Sequence, residues 1–485
     1  MIHAIIYAGE EDDGTNMINE PLNIVGDYQK NYVKEISPAE TLNMYVTKVN
    51  NKDVLLPRPG LSVDDGKTLN SEGGIRCLFE YNNILHAICG ESVFQLNNKL
   101  VPTFVKKLNT SSSRIQIVAN EYQMFFVDGV NGYYYEPSTN LYKVIPTLTQ
   151  PIGATILAGY FLTAQRDTSK FYYSKINDCS VWNVLDFNKL TSYPDTIVNV
   201  LSVSGLLYIF GNVCIEVWQP TGNSNTPFVR NLNTVIDYGC AAIQSLSKEE
   251  DTFTFLATSK DGGISVVSDT GGQFKKISNL AIEIEFQSYS SVQDATGFMY
   301  TLNGNLFYQL NFTTENTSWL YNFDNGTWSK LTFKVNDRHR ANNHVFFNNK
   351  HYVGDYGLPI IYALDFDYMD DAAVSIRKRR ITPIYYLNNS FNFYVDTLKI
   401  LVSKGYGTPS GKDQYPNISL RVSRDGGRTY GSELMRSLSK LGRRTSWEVI
   451  FNNFGLMDSL TLEITCDNDI NFVLMNAFVT TRNVE

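Results

Sequence analysis

Ser423-Arg424-Asp425-Gly426-Gly427-Arg428-Thr429-Tyr430 is the stretch whose residue types come nearest to chemistry. Its letters follow Ser-x-Asp-x-Gly-x-Thr-aromatic, the Asp-box spelling that accompanies sugar-cleaving sites. Cleavage of a glycosidic bond needs a nucleophile and a general acid on either side of the bond, and an Asp-box enzyme would also carry several boxes at regular spacing. The nearest second copy, Ser259-Lys260-Asp261-Gly262-Gly263-Ile264, has the turn but lacks the closing Thr-aromatic pair. A lone box reads instead as a structural turn. Asp425, Gly426 and Gly427 follow the alternating run Ile418 to Val422 and suit a hairpin whose turn residues take positive φ.

The other chemistry-bearing residues are histidines, cations and thiols. His339, His344 and His351 are close in sequence, but they fall in a polar stretch, 336–349, without Cys or a His-Glu-x-x-His helix, so they read as exposed side chains and no metal is expected. The basic run Arg377-Lys378-Arg379-Arg380 and the looser cluster of Arg436, Lys440, Arg443 and Arg444 carry no phosphate-loop glycines. We take Arg377, Arg379, Arg380, Arg436, Lys440, Arg443 and Arg444 as candidate contacts to partner proteins. The six cysteines are scattered with no Cys-x-x-Cys pair, which suits buried free thiols. Neither a catalytic centre nor a cofactor is signalled.

Something must position these residues, and the hydrophobic pattern points to short strands. Between about 75 and 365 a unit recurs: an aromatic or aliphatic strand, a Gly or Asn turn, and a second strand. Examples are Asn83 to Ile88 with Ser92 to Leu96, Gln123 to Val127 with Gly132 to Tyr135, and Leu206 to Phe210 with Cys214 to Trp218. Successive units start near 83, 123, 159, 206, 253, 298 and 350, a spacing that suits the blades of a propeller. Beyond about 376 the strands lengthen into an antiparallel sandwich pattern. The expected fold is therefore all-β: a six- or seven-bladed β-propeller over 75–375, an N-terminal segment over 1–74, and a β-sandwich-like domain over 376–485, with the first and last forming a platform.

Composition agrees and excludes other classes. With 43% hydrophobic and 19% charged residues, and with 30 Tyr and 28 Phe, the chain has ample surface to bury and leans to β-structure. A formal charge of −8 argues against a broad face that grips nucleic acid. The apolar start, Met1 to Tyr7, lacks a basic region and runs into Glu10-Glu11-Asp12-Asp13, so no signal peptide is expected, and no segment is long and apolar enough for a spanning helix.

Three stretches carry a family resemblance. They are Asn43-Met44-Tyr45-Val46 with Pro57-Arg58-Pro59-Gly60-Leu61, the run from Leu207 through Phe210-Gly211 and Ile215-Glu216-Val217-Trp218 to Thr221-Gly222, and Ser423 to Tyr430 followed by Gly442-Arg443-Arg444. Their order resembles the packaged-DNA stabilisation proteins, the tail hub or nozzle proteins of short-tailed bacteriophages. The resemblance implies a structural virion protein, assembled in the host cytoplasm, that forms a hexameric ring below the portal-adaptor ring. It would continue the DNA channel, retain packaged DNA, and hold tail fibres or spikes and a plug or needle protein. An acidic chain suits walls that let DNA pass without sequence-specific binding. The stretch Met1 to Glu20 departs from the family pattern. A sialidase-like glycan hydrolase and a receptor-binding tail protein are the alternative readings.

Overall fold

The computed structural model describes residues 17–30, 37–334, 336–386, 392–443 and 446–483. Their regular structure is almost entirely strand; the helical pieces among them are Leu280–Gln287, capped by Asn279, and the short turn Ile243–Ser245. The chain divides into two compact units, Arg58–Ile376 and a second built from the residues up to Pro57 together with those from Arg377 onward.

Among the described residues the first unit holds successive ladders, the first four of them four-stranded antiparallel sheets and the later ones built around the same antiparallel pattern with further strands added. In each, the two middle strands are the apolar pair visible in the sequence; Met124–Val127, for example, is buried throughout. The innermost strands pack in a ring, each against its neighbour, and Ala341–Phe347 returns against Ile75–Tyr81. This is a β-propeller. Several ladders join their first two strands by a two-residue loop with both residues at positive φ, as at Asn82-Asn83, Ser204-Gly205 and Asn303-Gly304. Such loops match the right-handed twist of the flanking strands, which is why Asn and Gly recur there.

Each ladder buries its faces against the next. Ile88 and Val93 of the first ladder pack with Phe126, Tyr133 and Tyr142 of the second, and Phe125 and Val127 on the other face of the second pack with Phe161 and Trp182 of the third. The ring closes through Leu85, Phe94 and Leu96 against Phe347, Tyr352 and Ile361. Strand pairing closes the ring as well, because the outer strand of the last ladder, Gly60–Thr68, comes from the start of the unit and hydrogen-bonds with Ile360–Asp365. The expected boundary after residue 74 accordingly gives way to one after Pro57. Strand pairing outweighs the sequence pattern here, since the polar half of Gly60–Thr68 hides its role.

The second unit is a two-sheet sandwich. One sheet runs Met44–Val49, Lys52–Pro57, Leu474–Asn483, Phe393–Val402, Glu448–Met457, with Met17–Leu22 also on Leu474–Asn483. In the other, Glu40–Leu42, Lys378–Ile381, Thr461–Cys466, Asn417–Ser423 and Leu434–Ser437 are neighbours in turn. Their inner faces share one core, including Leu55, Phe393, Ile400, Phe451, Leu462 and Val479. The basic run 377–380 therefore sits in a strand, and strand alternation sends its members to opposite faces.

Candidate functional site

The Asp-box turn is occupied with hydrogen bonds to its own backbone and side chains. Asp425 Oδ1 accepts from Ser423 Oγ at 2.7 Å and from the amides of Arg428 and Thr429. Its Oδ2 accepts from Thr429 Oγ1 at 2.6 Å. Burial alone would raise the carboxyl, but these hydrogen bonds bring it down to about 2. Gly426 and Gly427 stand at φ 69° and 83°, and a Cβ on Gly427 would meet Pro38 at 2.8 Å. Glycine is required there for both space and conformation. The turn is a clasp, with both Asp425 carboxylate oxygens engaged within it.

The seven candidate interface residues divide sharply. Arg380 is 2% exposed and belongs to the interior. Its guanidinium donates to Ile24 O, Asp27 O and Thr41 Oγ1 at 2.7–2.8 Å, and burial lowers it to about 10. Arg380 is thus removed from the candidate contact surface; it holds the N-terminal stretch in place. Lys378 is likewise buried, donating to Asn468 O at 2.6 Å. Arg379 pairs with Glu40 and, at 3.7 Å, with Glu463, whose other oxygen meets Arg421 at 3.0 Å. Arg377 stays largely exposed, 3.7 Å from Asp467.

Arg436 is exposed, lies over the Phe451 ring at 5.2 Å and donates to Ile450 O. Lys440 stands over Tyr415, and Arg443 is exposed. Arg444 lies outside the described residues, as do Met1 to Asn16 of the N-terminal stretch.

The histidines are not exposed loop residues. His344 and His351 occupy paired strands, Ala341–Phe347 and Lys350–Asp355, and their rings face each other with Nε2 and Nδ1 3.0 Å apart. Burial and the neighbouring imidazole push His344 down to about 3. His339 is 2% exposed; burial, then the nearby Arg58, Arg338 and Arg340, holds it well below the usual histidine range. No group of three metal-ligating side chains occurs among the described residues.

Isolated arginines organise the propeller. Arg58, at the entry to the unit, makes a buried two-pronged pair with Asp371 near its exit, with Nη1 to Oδ1 at 2.9 Å and Nη2 to Oδ2, and Nη2 also reaches Thr332 O. Arg76 gathers the connection between the first and second ladders, donating to Gly90 O, Thr110 O, Ser112 O and Ser113 O. Arg114 spans the axis: it leaves the start of the second ladder and donates to Gln244 O at 2.9 Å and Gly297 O at 2.6 Å, in the fifth and sixth. Beside it lies a cavity of about 260 Å³ whose lining includes Cys77, Gln116, Thr155, Ser202, Lys248 and Asn343.

Sequence reasoning about clustered cations passed over these lone arginines. Their signal is an isolated Arg beside apolar strand residues, as in Pro57-Arg58-Pro59 and Ile75-Arg76-Cys77.

The family described as bacteriophage P22 Gp10, β-propeller, matches residues 23–369. The tail hub protein gp10 of Salmonella phage P22 is 23% identical over 252 residues, 50% of this chain and 52% of that protein. The chain thus spans about half the length of this curated relative. Among solved structures, the Neurospora crassa Pan2 WD40 domain aligns over 60% of this chain and 89% of its own at 8% identity, with a TM-score of 0.39. The N-terminal domain of Nup159 aligns over 67% and 98% at 7% identity, with a TM-score of 0.40. Membership rests on the family match, which covers well over half of the residues: the chain belongs to the bacteriophage P22 Gp10 β-propeller family.

Proposed function

We propose that this protein is a structural subunit of a short phage tail, a tail hub whose copies assemble as a ring, six by the resemblance, below the portal-adaptor ring. The sandwich unit is the ring-building platform and the propeller the nozzle. Tail fibres or spikes and a plug or needle protein attach to the assembly, and packaged DNA is retained behind it. Assembly takes place in the host cytoplasm, and the protein ends up in the virion.

One observation carries the route of the DNA. The propeller's own axis is crossed by Arg114 and leaves a cavity of about 260 Å³, far too small for a duplex whose major groove alone is about 12 Å wide. A channel for DNA has to be bounded by several copies, so retention and release are properties of the ring.

Retention tests the reading. Particles assembled without this protein should admit an intercalating dye to their DNA or lose the DNA, and adding the purified protein should restore exclusion. Particles that retain DNA equally well without it would refute the role. Hydrolysis of fluorogenic glycosides would favour the glycan hydrolase instead, and binding of the isolated protein to host cells would favour the receptor reader.

A further inference from the structure

The cavity of about 260 Å³ on the propeller axis draws its lining from around the ring. Its charged side chains are Arg114 and Lys248, and none of its lining residues is an Asp or Glu, although the chain carries a formal charge of −8. His344 is also in the lining, but with its pKa pushed down to about 3 it stays neutral. The cavity is therefore positive in an acidic protein.

Hydrogen-bond accounting separates the groups that are spent from those that are free. Thr155 Oγ1 and Ser202 Oγ meet at 2.7 Å, and Ser202 Oγ also donates to Ile156 O at 2.6 Å. Asn199 donates to Ile243 O, Asn343 donates to Ile75 O, and Ser247 Oγ accepts from Met299 N. Gln116 and Gln244 differ, because their side-chain amides make no hydrogen bond among the described residues. Arg114 uses Nη1 alone, on Gln244 O and Gly297 O, which leaves Nε and Nη2. Arg76, by contrast, spends Nε, Nη1 and Nη2 on acceptors. Lys248 Nζ reaches only Ser202 O, at 3.1 Å, and neither cation has a carboxylate partner among the described residues. The free atoms of Arg114, Gln116 and Gln244 are not sealed in like His86 Nε2; a water-sized molecule can touch them.

We infer that this cavity binds a small hydroxylated oxyanion, a phosphate monoester or a hydroxycarboxylate. Lys248 and the free Nε and Nη2 of Arg114 hold the negative group through charge-assisted hydrogen bonds. The Gln116 and Gln244 amides, which both donate and accept, take the hydroxyls. Clefts for drug-sized ligands run to about 300–1,000 Å³, so the occupant is smaller. Lys248 is exposed as well as lining the cavity, which leaves a way in from solvent.

Calorimetric titration of the full-length chain with glycerol 3-phosphate, with citrate and with neutral glycerol tests this. At least one of the two anions should bind with a Kd of ~1 mM or tighter, and at least ~10-fold more tightly than glycerol. Which anion wins assigns the phosphate or the carboxylate class. Lys248→Met should weaken binding at least ~5-fold and Gln116→Glu at least ~10-fold, whereas Arg436→Glu, in the sandwich, should leave it unchanged. On the unaltered chain, which needs no variant to fold, the bound anion should slow amide exchange at least ~3-fold across 115–118 and 247–249 and not in the sandwich strands. No saturable binding of either anion up to ~10 mM, glycerol binding as tightly as the anions, exchange unchanged on the axis, or well-folded Lys248→Met and Gln116→Glu proteins that bind like the parent would each overturn the inference.

Discussion

The two units hide their apolar residues by opposite means. In the propeller every ladder hides its faces against neighbours, the ring closes on itself through Gly60–Thr68, and the two ends of the unit are clasped by Arg58 and Asp371. In the sandwich Met17–Leu22 pairs with Leu474–Asn483, Arg380 ties down residues 24–27, and among the described residues strand edges remain open at Leu434–Ser437 and Glu448–Met457. A closed ring has spent its pairing capacity internally, whereas an open sandwich still has backbone groups to offer. This contrast supports placing assembly in the sandwich.

The largest expected effect breaks the propeller's clasp. Arg58→Met leaves Asp371 charged, buried and short of its partner, which should cost about 3–5 kcal/mol; the double change Arg58→Met, Asp371→Leu should recover much of it. Chemical denaturation would show both. If the single variant matched the parent, closure would not depend on the clasp. Deleting packing between ladders should be nearly as severe: Phe126→Ala, which removes a ring stacked 4.9 Å from Tyr133, should cost about 3–5 kcal/mol.

In the sandwich, Arg380→Met should cost about 1–3 kcal/mol, since Thr41 Oγ1 and two carbonyls lose a donor. Amide exchange should rise around residues 24–27 and stay unchanged in the propeller.

Acid sharpens the comparison. His344 is depressed in the folded state, so its stabilising effect is present above about pH 6.5 and is lost as pH falls toward about 3. Asp425 is also depressed, to about 2, so its effect is present above the ordinary aspartate range and is lost only between about pH 4 and 2. The propeller should weaken at higher pH than the Asp-box turn, as probes placed in each unit would report. His344→Gln should flatten the first transition and Asp425→Asn the second.

The smallest effect on the monomer falls on Arg436. Arg436→Glu, at an exposed position over the Phe451 ring, should cost no more than about 1 kcal/mol while impairing assembly into the ring.

How these regions read from sequence follows from burial. Middle strands such as Met124–Val127 are apolar on both faces and declare themselves. The inner strand Gln116–Ala119 is only half-buried, and the outer strand Pro102–Lys107 has no buried residue. Neither kind offers the hydrophobic contrast that periodicity needs. Gly60–Thr68 was hidden the same way, since its partner lies some 300 residues away in a ladder no local pattern announces. The Asp-box turn was readable because its hydrogen bonds are local. Arg380 was not, because alternation within a four-residue strand, Lys378–Ile381, turns one arginine inward and its neighbour outward.

Imaging the purified protein bound to its adaptor ring tests the central claim most directly. The account predicts a closed ring of several copies, held together through the sandwich units, with one axial channel bounded by all of them and each propeller's own axis shut at Arg114. Discrete copies with no shared channel, or a DNA-wide bore through a single propeller, would contradict it.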